Sequence, residues 1–232
     1  MRLPPDRARQ PGDSGPLEEV TVHIKPLHLR GRAPKSRGQS LVEFVVILPI
    51  LLIMLSGLIE FGFMINYYLD VIDAARDGAR FASNLDPLAP DDGIFDCVNS
   101  GYFYRLVPCV VNQALAPQIT LDPSDPPPGD SDDMVISAFS VAGTTITQRF
   151  PDADGWSLNS QHASEFTTAE VQTMLSGLAG TTPSTGVVLV EVFFDYHMVL
   201  ALPWITAFVP NPVTLHAYTL MPNTFVEPTP TP

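Results

Sequence analysis

Polar and apolar positions divide this chain into three unequal stretches. Residues 1–38 mix Pro and Arg without a sustained apolar period, residues 39–83 are dominated by one long apolar run, and the remainder breaks into short segments of helix and strand character. Sixteen consecutive residues, 44–59, carry no charge, and the apolar character extends from Leu41 to Ile65, 25 positions in all. About 20 residues at 1.5 Å each cross the hydrocarbon core of a bilayer, so the run predicts a transmembrane helix. Two acids interrupt it, Glu43 and Glu60, which a straight helix would separate by roughly 25 Å. Each then falls near a different edge of the bilayer. An ionised side chain costs about 2.5 to 3.5 kcal/mol at the centre of a bilayer helix, so Glu43, at the apolar start, asks for a partner or a function. Glu60 is read as a residue of the headgroup layer.

The helical pattern runs on past the span. Ile65, Leu69, Ile72, Ala75, Ala79 and Ala82 recur at spacings of three and four, which draws one apolar stripe suited to docking on the chain's own globular part or on another subunit. Asp73 with Arg76 and Asp77 with Arg80 stand three residues apart on other faces, where opposite charges attract. Pro49 removes one helical hydrogen bond, and Gly57 and Gly62 offer close packing in the membrane.

Beyond residue 83 the sequence changes character. Residues 84–133 hold prolines, a segment bounded by two cysteines that includes Tyr102, Phe103 and Tyr104, and an acidic, Pro-rich tract that reads as a solvated linker. Residues 134–221 predict a compact α+β domain. Strands are expected at 134–141 and 144–150, and Thr167 and Glu170 form a capping box that opens a short helix ending around 177–180. Strict alternation over 187–196 places Val188, Val190, Val192, Phe194 and Tyr196 on one face and Glu191 and Asp195 on the other, the pattern of a half-buried strand; 213–221 is its expected partner. Residues 198–209 are apolar but broken by Pro203 and too short to span; Trp204 and Phe208 there cover one end of the sheet, or touch a membrane surface or another subunit. Residues 222–232, with Thr-Pro repeats, read as a disordered or extended tail. The fold class is α+β: a long transmembrane and stalk helix, then a small domain with an antiparallel sheet.

Charge sets orientation and excludes partners. Of 12 Lys and Arg and 25 Asp and Glu, eight and four lie in the first 38 residues, which leaves four basic against 21 acidic residues and a formal charge of −17 beyond. Arg30, Arg32, Lys35 and Arg37 precede the span, so the positive-inside tendency puts the amino terminus in the cytoplasm and the bulk of the chain outside. An acidic exported part repels nucleic acid and anionic lipid headgroups. On that side Cys97 and Cys109 are expected to form a disulfide, which would stabilise by about 3 kcal/mol on the chain-entropy model; two inert thiols are the alternative.

Catalytic signatures are missing from the sequence. His23, His28, His162, His197 and His216 are scattered without a zinc-protease spacing, no serine sits in a nucleophile elbow, and no phosphate-binding glycine loop occurs. The aspartates of the acidic tract do not follow the calcium-loop spacing. The sequence implies no enzyme, no cofactor and no metal.

The segment at the head of the span carries a resemblance. Gly38, then Gln39-Ser40-Leu41-Val42, then Glu43-Phe44, resembles the type IV prepilin processing motif. With Leu48-Pro49, Ile59-Glu60-Phe61-Gly62 and the block from Ala74 to Ala82 that includes Arg76, Gly78 and Arg80, residues 38–82 are similar to the TadE-like family. That family comprises minor pilins or pseudopilins of the tight-adherence pilus and related secretion systems. The resemblance implies cleavage after Gly38 by a prepilin peptidase, a free amino terminus on Gln39, and Glu43 one helical turn away to pair with that terminus or a neighbour's. Implied partners are other pilin-like subunits, the assembly machinery and membrane lipid. The implied location is the cytoplasmic membrane, crossed once, or a pilus. The basic leader of 38 residues departs from short prepilin leaders. A permanently anchored, exported binding module for an envelope or surface ligand is the other reading.

Overall fold

The computed structural model describes residues 38–94, 97–121, 131–143, 145–177 and 186–226. The expected leader, most of the acidic tract and the end of the tail lie outside the described residues. The chain divides into two compact units, Met1–Phe44 and Val45–Pro232. The described part of the first is the opening of helix α1, Gln39–Ala82, in which the Val42 amide donates to the Gly38 carbonyl at 3.1 Å.

Within the second unit α1 continues through Pro49 as a helix with two different surroundings. Up to Phe63 nearly every large apolar side chain is exposed, and the segment is long and apolar enough to cross a membrane. After Met64 the helix turns one-sided. Val71, Ala74, Ala75, Ala79 and Ala82 are fully buried against α2, Phe103–Leu115, and the sheet. The lower half of the expected stripe thus docks on the chain's own domain. Its upper members, Ile65 and Leu69, face outward, and Met64, Tyr67 and Val71 take their place. There the strand ending at Tyr196 and the strand starting at Val213 meet the helix on the face that carries Met64 and Tyr67, which the helix alone does not encode. Asp73 and Arg76 meet at 3.1 Å as expected, whereas Asp77 and Arg80 form no pair.

Small residues on α1 let α2 come close. A Cβ placed on Gly78 would collide with Val111 Cγ2 and stand 3.6 Å from Val190 and 3.8 Å from Val107. The helix α2 lies where the sequence reads as loop. Its buried residues, Phe103, Tyr104, Val107, Pro108, Val111 and Leu115, form a helical stripe, which Pro108 disguises. Cys97 and Cys109 are joined, with Cα atoms 5.9 Å apart, so the bridge ties the turn before α2 to its middle.

The sheet is antiparallel throughout. Its order is β2 (Thr145–Phe150), β1 (Asp133–Ala142), β4 (Gly186–Tyr196), β5 (Val213–Asn223), and the two-residue β3 (Trp156–Ser157) also pairs with β1. Register puts Met134 opposite Val192, Ile136 opposite Val190 and Ala138 opposite Val188, and this face packs on α1 and α2. Phe139, Val187 and Leu189 line the opposite face and pack on Val171 and Leu175 of α3, Thr168–Gly177. The capping box forms at the start of α3: the Thr167 amide donates to Glu170 at 2.8 Å and the Glu170 amide to Thr167 Oγ1 at 3.3 Å.

The half-buried reading of the fourth strand is corrected by this second layer. Glu191 is fully buried and Asp195 is 4% exposed. The covering chain and the neighbouring strand supply donors to both. Glu191 accepts from Ser164 Oγ and from the Glu165 amide at 3.0 Å, and Asp195 accepts from the Ser131 amide at 2.8 Å and Thr214 Oγ1 at 2.6 Å. Burial raises the Asp195 pKa, but the Thr214 and Ser131 bonds outweigh it and hold the carboxyl below its ordinary value. Asp133, also fully buried, gathers the amides of Asn159, Gln161 and His162 at 2.9, 3.0 and 2.7 Å.

The end of α1 is held from the far strand. The buried Asn223 side chain donates to the carbonyls of Ala82 and Leu85, both at 2.9 Å, and so ties the last residue of the helix and the turn after it to β5.

Gly78 offers a direct test of the α1 seam. Alanine in place of a mid-helix glycine gains about 0.5 to 1 kcal/mol of helix propensity and β-branched valine gains less, whereas overpacking a tight core costs about 1 to 3 kcal/mol. Gly78→Val should therefore lower the urea midpoint of the detergent-solubilised chain. A midpoint equal to or above that of the unaltered protein would show that the seam is not tight.

Candidate functional site

Two positions on α1 depart from the apolar surroundings of the helix. One is its opening. Gly38 is exposed in the turn before the helix, Glu43 is exposed in its first turns, and Phe44 beside it is 61% exposed. The other is the neighbourhood of Glu60. Ser56 and Glu60 lie one turn apart and so share a face, which is the signal in the sequence that something polar meets the helix there.

That partner is the loop after β4. The Glu60 carboxylate accepts from Tyr196 Oη at 2.6 Å and from the amides of Val199 and Leu200, both at 2.8 Å. Ser56 Oγ donates to the Ile53 carbonyl at 2.9 Å and accepts from Trp204 Nε1 at 3.1 Å. Glu60 is only 5% exposed. Glu60, expected in the headgroup layer, thus also meets protein there: donors more than a hundred residues away in sequence fill its oxygens. Charge-assisted bonds of this kind are roughly twice as strong as neutral ones. Burial, together with the adjacent Glu60 carboxylate, holds the Tyr196 phenol above its ordinary value. Tyr67 packs on Tyr196 and Phe194, with ring centroids 5.4 and 5.8 Å apart, and completes the clasp.

The remaining expected site residues are dispersed along α1. Pro49 sits inside the helix, and a Cβ at Gly57 or Gly62 would meet nothing within 4 Å. Arg76 is exposed beside Asp73, Arg80 is exposed, and Gly78 faces α2. The structure brings Glu60 to the sheet domain through Tyr196 and Gly78 through Val190.

A further polar cluster lies under the covering loop of the sheet. His162, Phe193 and His216 stack face to face, with centroids 4.2 and 4.4 Å apart, and His216 reaches Glu165 at 3.1 Å and Glu191 at 3.4 Å. Arg149 donates to the Phe166 carbonyl and to Ser137 Oγ, both at 2.8 Å, and burial lowers its pKa. These contacts knit loop to sheet. No group of three or more His, Cys, Asp or Glu able to hold a metal occurs among the described residues.

An apolar helix of spanning length, folded by its polar half onto an α+β domain, defines a protein with a candidate membrane anchor. Residues 38–80, which hold the exposed Gly38 turn, the span and most of the docked half, match the model of the family described as TadE-like protein. No curated protein and no solved structure matches the chain.

The Glu60 clasp is testable by substitution. Glu60→Ala leaves Tyr196 Oη and two amides without their acceptor, at a cost of about 1 to 3 kcal/mol, whereas Glu60→Gln keeps one carbonyl oxygen and loses less. Protease nicking within residues 197–212 of the detergent-solubilised chain should rise from the unaltered protein to Glu60→Gln and again to Glu60→Ala. Equal resistance of all three proteins would remove the clasp as a structural element.

Proposed function

We propose that the chain is a membrane-anchored, pilin-like assembly subunit of a Tad-type pilus or a related secretion system. The observation that carries this reading is a coincidence of boundaries: the TadE-like match begins at residue 38, and the span-length helix opens at Gln39. In this reading a prepilin peptidase cuts after Gly38 and leaves a positively charged amine on Gln39. Glu43 lies one helical turn on, within reach of that amine or of the amine on a neighbouring subunit. Pairing offsets the cost of placing either charge in the bilayer and sets the axial register between subunits. The amino terminus faces the cytoplasm, the sheet domain is exported, and the lipid of the cytoplasmic membrane surrounds residues 41–65 before assembly. The role is structural and no catalytic step is assigned.

The mass of the mature protein tests the processing step. A chain that starts at Gln39 supports it, and a chain that retains residues 1–38 favours the permanently anchored binding module instead. For the pairing step, Glu43→Gln should insert into the membrane as the unaltered protein does and yet abolish piliation or secretion. Unchanged piliation in that variant would end the pairing mechanism while leaving the anchor in place.

A further inference from the structure

We propose that the loop between β4 and β5, residues 197–212, is a second membrane-contacting element, seated in the interfacial layer of the same bilayer that α1 enters. The inference rests on the anchoring of α1 by its apolar half.

The loop is fixed at a defined height on the helix. Trp204 Nε1 bonds Ser56 Oγ, and the amides of Val199 and Leu200 bond Glu60, so the loop lies beside one turn of α1. On its other sides the same stretch of α1 presents Leu55, Leu58, Ile59 and Phe61, all exposed. Whatever medium covers those side chains reaches the loop at the same level. The loop is built for such a medium. Val199, Leu200, Trp204, Phe208 and Val209 are exposed, Phe208 to 88%, and residues 198–215 contain no Asp, Glu, Lys or Arg although the rest of the domain is strongly acidic. A face so apolar in an otherwise acidic domain does not suit water, and a protein partner at this height would have to lie within the membrane itself.

Lipid fits the chemistry more closely. Tryptophan concentrates at the boundary between headgroups and acyl chains, where its ring is buried and its N–H is satisfied. Here Ser56 satisfies that N–H, and the ring edge remains open. The absence of basic residues means that contact comes from apolar area and not from attraction to anionic headgroups. Between loop and helix runs an apolar groove of about 250 Å³, lined by Gly57, Phe61, Met64, Ile205, Val209 and Val213 among others, which gives acyl chains a place to lie against the protein. The domain would thus be held against the membrane by two contacts and could not swing on the helix.

Fluorescence quenching tests the seating. The chain has two tryptophans, so Trp156→Phe leaves Trp204 as the reporter in phosphatidylcholine vesicles whose acyl chains carry bromine either near the headgroup or near the chain end. A companion full chain with Trp156→Phe, Trp204→Phe and Leu51→Trp reports on the span. Trp204 should lose more emission to shallow than to deep bromine, and the Leu51→Trp reporter should show the reverse order. Undiminished Trp204 emission alongside a quenched Leu51→Trp reporter overturns the proposal and leaves the anchor intact; a concentration-dependent blue shift of Trp204 would then identify a second copy as the occupant. If neither reporter is quenched, the anchor reading fails and the loop proposal fails with it.

Discussion

One helix serves two solvents, and the domain is arranged around that demand. For its first half α1 is apolar on every side, whereas its second half is apolar on one side only and pressed so close to α2 that Gly78 has no room for a side chain. The change is enforced at three points. Glu60 gathers the loop after β4, the alanines from Ala74 to Ala82 accept α2 and β4, and Asn223 closes the carbonyls at the helix end. From Glu60 to Ala82 a helix advances roughly 33 Å, so the domain is gripped at points spread over that length. A stalk held at one point would hinge, but one held at three points moves with its domain.

Local patterns were legible in the sequence wherever their cause was local. The Thr167 and Glu170 box, the alternation of the fourth strand and the apolar span depend on spacing within a few residues, and the structure carries each of them. Helix α2 escaped because Pro108 and the nearby aromatics break the usual helical composition while its buried stripe is supplied with neighbours by α1. Glu191 and Asp195 read as solvent-facing because acids at alternating strand positions usually are. Their burial depends on donors from Ser131 and Ser164, which lie 64 and 27 residues away in sequence. No window of a single strand contains that information. Glu60 is the extreme case: its partners lie 136 to 140 residues downstream, and only the one-turn spacing from Ser56 hinted at a polar face.

The two glutamates of the span show how one residue type can serve different ends. Glu60 sits where the helix meets its own domain, and the chain provides a phenol and two amides to accept its charge. Its presence in an apolar run is thereby explained by folding alone. Glu43 belongs to the first unit of the chain, its side chain is exposed, and it stands five positions beyond the glycine at which the TadE-like match begins. In the proposed reading, a carboxylate in that position meets the amine that cleavage leaves on Gln39. The division is physical: an acid in an apolar helix needs compensation, from donors the fold brings to it or, in the proposed reading, from a charge that cleavage creates. The first route fixes the domain on its stalk; the second would fix one stalk on the next.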